Sequence, residues 1–109
     1  MTFFLTEHAL NNMAQQVVIL IKLRNPAGFR TYVEGHMPIL LKHGGKVTAA
    51  MPPGVGDVME GTKNYDVVVT QEWPSIEAWD AFYADPDYQQ WKDLRHASAD
   101  CNVFRFPKS

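Results

Sequence analysis

Gln16-Val17-Val18-Ile19-Leu20-Ile21-Lys22-Leu23 is the stretch that decides the fold. It is largely β-branched and contains no glycine or proline, which predicts a strand. Alternation places Val17, Ile19, Ile21 and Leu23 on one face. Val18 and Leu20 lie on the other, which ends in Lys22 and Arg24. A strand that is apolar on both faces requires cover on both.

The chain on either side supplies cover for one face. Asn25-Pro26 opens a helix, with asparagine as the cap and proline at the first helical position. The helix runs to about His43, where Gly44-Gly45 stops it. Phe29, Val33, Met37 and Leu40 form its core stripe, and Pro38 should kink it near Glu34 and Gly35. A second strand follows over Lys46 to Met51, with an extended continuation over Gly56 to Gly61. Tyr65 to Trp73 is a third strand, which turns Tyr65, Val67, Val69 and Trp73 towards the helices. Ser75 caps the next helix, with Glu77 in its first turn. Asp85-Pro86 breaks this helix and restarts it with a fresh cap. The second segment reaches about Ala99, with Tyr88, Trp91 and Leu94 inward. Asn102 to Phe106 is the last strand. The order βαββαβ is an α+β, ferredoxin-like arrangement: a four-stranded antiparallel sheet with its helices on one face. Residues 1–15 read as an N-terminal extension, with a short helix capped by Thr6, and residues 16–109 as the domain.

The second sheet face has nothing in the domain to cover it. Leaving Val18, Leu20 and Val68 wet forgoes roughly 1.5–3 kcal/mol each. Such a patch marks an interface, and the simplest cover is a second copy related by a two-fold axis. The expected partner is therefore the chain itself, as a homodimer through the open sheet face; the alternative is a monomer whose N-terminal extension folds over the patch.

Composition narrows the remaining classes. The 109 residues suit one domain, and 46% hydrophobic against 20% charged residues argues against disorder. A net charge of −2 gives no basic surface for nucleic acid. The single cysteine, Cys101, rules out an internal disulfide and a cysteine-based zinc site. The longest apolar run, Val17 to Ile21, is too short for a membrane span, and the start, MTFFLTEHAL, lacks the pattern of a signal peptide. The expected location is the cytoplasm.

Three segments carry a family resemblance: YVEGHMPILLKHGGKV (residues 32–47), VMEG (58–61) and VVVTQEWPSIEAWDAFYADPDYQQWKDLR (67–95). Together they resemble the DUF1330 family over about Val17 to Phe106. The most specific part is Glu72-Trp73-Pro74-Ser75 followed by Phe82-Tyr83, Asp85-Pro86 and Tyr88-Gln89. The resemblance implies membership of the dimeric α/β-barrel superfamily, hence a dimeric α/β barrel. It implies no particular reaction, since the wider group includes cofactor-free monooxygenases, isomerases and haem-handling enzymes.

The candidate chemistry comes from single residues. No P-loop, GxGxxG, HExxH or GxSxG is present. Tyr32, His36, Ile39 and His43 fall within about 60° on the first helix, beside the core stripe, where helix meets sheet. His36 is the candidate acid/base there, with Tyr32 and Tyr83 orienting a ligand. Arg95 sits on an otherwise apolar face, placed to stack on Trp91, to pair with Glu72 or to hold an anion. Lys22 and Glu72 face the barrel as a salt bridge or a polar anchor. No metal or cofactor is expected. Two functional readings follow. One is a cofactor-independent enzyme acting on a small, partly apolar, acidic metabolite. The other is a non-catalytic dimer that binds a small molecule or a protein.

Overall fold

The computed structural model describes residues 12–108. The elements are β1 (Gln15–Leu23), α1 (Pro26–Lys42), β2 (Lys46–Ala50), β3 (Val67–Trp73), α2 (Ile76–Ala84), α3 (Gln89–Ser98) and β4 (Ala99–Pro107). They build one four-stranded sheet of order β2-β3-β1-β4, with every neighbouring pair antiparallel. The helix proposed for the extension lies mostly outside the described residues, and the extension's expected last residue, Gln15, is already the first residue of β1.

The local signals act as their chemistry dictates. Asn25 Oδ1 accepts from the Gly28 N–H at 3.1 Å, and Pro26 begins α1. The helix continues through Pro38 and ends in a Schellman motif. Gly44, at φ 85°, donates to Leu41 O and Gly45 to Leu40 O, each at 3.0 Å. Ser75 Oγ accepts from the Ala78 N–H at 3.1 Å and caps α2. The fresh cap expected for α3 is absent, because Asp85 Oδ1 takes the Asp87 N–H of the preceding turn instead.

The register settles which side chains share a face. Ile19 lies between Val69 and Val103, so Val17, Ile19, Ile21, Val67 and Trp73 point at the helices and are buried. Val18, Leu20 and Val68 point to the other face. Phe104 pairs across from Val18, and Phe106 from Gln16. These two phenylalanines are 59% and 48% exposed, so the apolar patch is larger than β1 and β3 alone indicate.

Three further expectations are corrected. The sheet is open and does not close into a barrel. β2 and β4 stand at its opposite edges and do not pair, and four strands are too few to close, since filling a closed barrel takes about eight. The placement in the barrel superfamily is therefore set aside, while the ferredoxin-like order stands. The extended continuation over Gly56 to Gly61 is irregular backbone within a long loop between β2 and β3. On α1 the buried residues are Tyr32, His36 and Leu40, whereas Phe29, Val33 and Met37 are only half-buried. The reason is lateral: α3 packs against the Tyr32 side of α1. Gly35 permits the approach, since a Cβ there would lie 2.3 Å from Trp91 Cη2 and Cζ3.

Candidate functional site

A cavity of about 180 Å³ lies between α1 and the helix-facing side of the sheet. Its wall is mostly aliphatic and aromatic: Ile19 and Ile21 from β1, Val67 and Val69 from β3, and Phe29, Val33 and Met37 from α1. Gln71, Tyr32, His36, Arg95 and Cys101 break this apolar wall. An apolar pocket with a few converging polar groups is the usual anatomy of a small-molecule site.

His36 is buried, and its Nδ1 lies 2.9 Å from the Tyr32 carbonyl oxygen, one turn back on α1. A carbonyl only accepts, so Nδ1 carries the proton. Burial, the dominant influence, lowers the His36 pKa, so the ring is neutral near pH 7 and Nε2 keeps its lone pair. The imidazole stacks on the Tyr32 ring at 4.2 Å between centroids and 8° between planes.

Tyr32 Oη and Tyr88 Oη are 2.8 Å apart and buried. Burial raises both phenol pKa values, so both groups are neutral and able to donate. Arg95 is 5% exposed, and its Cζ lies 5.9 Å from the Tyr32 ring centroid. Nη1 donates to Tyr88 Oη at 3.4 Å and Nη2 to His96 Nε2 at 3.3 Å, while Nε has no partner among the described residues. Burial acts to lower the Arg95 pKa, but the Tyr88 and Tyr32 oxygens more than offset it, and the guanidinium stays charged. Among the described residues no carboxylate pairs with it. Burial raises the Cys101 thiol as well, which is therefore protonated.

Of the residues singled out by sequence, the structure brings Tyr32, His36 and Arg95 together on the cavity wall. Tyr83 does not line the cavity but meets Arg95 from behind; its ring is 5.9 Å from that of Tyr88 and covered by Lys92 Nζ at 4.7 Å. Lys22 and Glu72 face the opposite side of the sheet. They do not pair, since Glu72 aligns with Gln16 and Lys22 lies six residues along β1, about 20 Å away at 3.3 Å per residue. Lys108 bridges Glu72 instead, and that hydrogen bond holds the Glu72 carboxyl below its usual range. Arg95 reaches neither Trp91's face nor Glu72, but lies over Tyr32. His43 leaves the site to bind Asp85 at 2.7 Å, and Lys42 joins at 3.4 Å. Among the described residues no group of three or more His, Cys, Asp or Glu could hold a metal. Sequence reasoning placed Tyr88 inward with the core aromatics and did not single out Gln71; helical spacing was the signal for the first, and strand alternation was the signal available for the second.

Comparisons with known proteins agree on the fold. Residues 16–107 match the family described as "Domain of unknown function (DUF1330)". No curated protein matches the chain significantly. A protein of unknown function from Rhodopseudomonas palustris is similar in structure, with a TM-score of 0.78 at 20% identity, over 94% of this chain and 87% of that one. SnoaB, a cofactor-independent oxygenase from Streptomyces nogalater, gives a TM-score of 0.66 at 14% identity, over 89% of this chain and 94% of its own. A dimeric ferredoxin-like protein of unknown function from Thermobifida fusca gives 0.55 at 14% identity, over 91% and 94%. No helix of the described residues is long and apolar enough to cross a membrane.

Proposed function

The chain belongs to the DUF1330 family, and on that footing we propose that it is a cofactor-independent enzyme acting on a compact, largely apolar organic acid. The observation that carries the reading is Arg95. A charged guanidinium buried on an apolar cavity wall, with no carboxylate beside it among the described residues, is costly unless an anion arrives to pair with it. His36 Nε2 is the proton acceptor, Tyr32 orients the ligand, and the aliphatic wall holds its apolar body. The size is consistent with a single ring, since a dry cavity of roughly 150 Å³ accommodates benzene. The structurally similar oxygenase from Streptomyces nogalater supports catalysis without a cofactor on this fold.

Thermal-shift measurement tests the reading. Benzoate and 4-nitrophenol should raise the melting temperature of the wild-type protein more than uncharged benzyl alcohol does, and Arg95→Met should lose that preference. A flat response to all three compounds, or an Arg95→Met variant that still prefers the acids, would remove the basis of the proposal. A non-catalytic binding dimer uses the same residues. It is favoured if ligand recovered by native mass spectrometry is bound tightly and stays chemically unchanged on prolonged incubation.

The assembly belongs to the same proposal. Val18, Leu20, Val68, Phe104 and Phe106 form an apolar face opposite the helices, and a second copy packed sheet to sheet would bury it. The dimeric relative from Thermobifida fusca supports this. Light scattering at micromolar concentration should give twice the chain mass of 12.4 kDa. Phe104→Glu should reduce it to the monomer value, and a wild-type species at the monomer mass would end the dimer proposal.

A further inference from the structure

The hydrogen-bond chain behind the cavity has a direction. A guanidinium only donates, so at Tyr88 Oη the 3.4 Å contact is Arg95 giving a proton to oxygen. Among the described residues the only other hydrogen-bond contact of Tyr88 Oη is Tyr32 Oη at 2.8 Å, so the Tyr88 hydroxyl proton has Tyr32 as its acceptor. Tyr32 then keeps a hydroxyl proton of its own that Tyr88 does not need. Of the two phenols, only Tyr32 lines the cavity. Burial raises both phenol pKa values, so both hydroxyls keep their protons.

His36 has the opposite polarity. Its Nδ1 proton is committed to the Tyr32 carbonyl, so Nε2 can only accept. The two rings are stacked at 4.2 Å between centroids and both residues line the cavity with Arg95, so one ligand meets a proton donor, a proton acceptor and a cation there. A carboxylate offers acceptors alone and would leave Nε2 without a proton to receive. An O–H group on a flat apolar body satisfies both partners with one oxygen.

We propose that the cavity takes a compact phenol or enol, and that Tyr88, which does not line the cavity, is a positioning residue that aims the Tyr32 proton at the ligand oxygen. This rests on the reading of the cavity given above and adds the class of acid and the role of Tyr88. In the step it supports, the ligand O–H bond breaks and the proton passes to His36 Nε2, forming an imidazolium. The oxygen keeps the electron pair, accepts from the Tyr32 hydroxyl and is held by the Arg95 charge.

The probe is 4-nitrophenol, whose ionisation is visible in its absorbance, with 4-nitrobenzoate as the size-matched carboxylate. Bound to the wild-type protein, 4-nitrophenol should ionise at least about one pH unit lower than in water, a tenfold change in its dissociation. Tyr88→Phe should bind the protonated probe about as well and lose most of that shift. Tyr32→Phe and His36→Gln should lose it too. If Tyr88→Phe does not fold, 3-fluorotyrosine at position 88, a stronger donor of similar shape, should enlarge the shift. An unchanged shift in either position-88 variant overturns the role of Tyr88. Tighter binding of 4-nitrobenzoate than of 4-nitrophenol overturns the phenol class while the anion cavity stands. If neither probe binds, the reading of the cavity itself falls.

Discussion

Replacing Arg95 by methionine should make the empty protein more stable while weakening its hold on acids. The losses can be read from the geometry. The Nη1 contact to Tyr88 is long at 3.4 Å, and the Nη2 contact to His96 involves an exposed ring. The charge over Tyr32 sits at 5.9 Å, near the limit of cation–π attraction, where such pairs give about 0.5–1 kcal/mol. Together these sum to about 1–2 kcal/mol. Against them stands the desolvation of a buried cation with no anionic partner among the described residues, which costs several kcal/mol. Methionine fills a similar unbranched path and adapts to irregular space. The net expectation is a gain of about 1–3 kcal/mol, with Tm rising by roughly 4–8 °C per kcal/mol for a domain near this size. Urea titration of wild type and variant without ligand measures it, and benzoate or 4-nitrophenol added to both measures the loss of binding. A variant destabilised by more than about 1 kcal/mol would show that Arg95 braces the Tyr32–Tyr88 pair, and that no missing anion is needed to explain it.

Three further outcomes follow from the packing and the charges. Gly35→Ala should destabilise by about 1–3 kcal/mol in urea denaturation, although alanine is the better helix former by roughly 1 kcal/mol. The added Cβ would fall 2.3 Å from the Trp91 ring, and a stabilised variant would mean that α1 and α3 are not in that contact. Burial holds His36 below its ordinary pKa of 6.5, so on acidification the unfolded chain takes up that proton first. The His36 contribution to stability is complete above about pH 6.5 and declines as pH falls below it; His36→Gln should flatten the stability–pH curve in that window. Asp85 is held down to about 2, mainly by the hydrogen bond from His43, so its stabilisation is complete above its ordinary value of 3.8 and is lost as pH falls through about 2. Asp85→Asn should therefore cost stability at neutral pH, with the gap from wild type closing on acidification towards pH 2.

Local chemistry made much of the scaffold legible. The Asn25-Pro26 start, the Gly44-Gly45 stop, the Ser75 cap and the alternation of β1 and β3 depend on neighbours a few residues apart, and the structure forms each of them. The site was legible only in part. Helical period put Tyr32 and His36 on one stripe, but which stripe of α1 is buried depends on where α3 packs, and Gly35 against Trp91 decides that from more than fifty residues away. Lys22 and Glu72 were drawn together by sharing a face, yet sharing a face says nothing about distance along a strand; the register sets them at opposite ends of β1.

The sequence by itself determined the order of strands and helices, the apolar character of both sheet faces and the residue types available for chemistry. Those properties are carried by nearest neighbours and by a fixed backbone period. Only the tertiary structure decided that the sheet stays open and that Phe104 and Phe106 enlarge its bare face. It alone showed that Arg95 lies over Tyr32 with no acid beside it among the described residues. Each of these is a pairing between residues far apart in the chain, and such pairings exist only once the strands have found their register and the helices have packed.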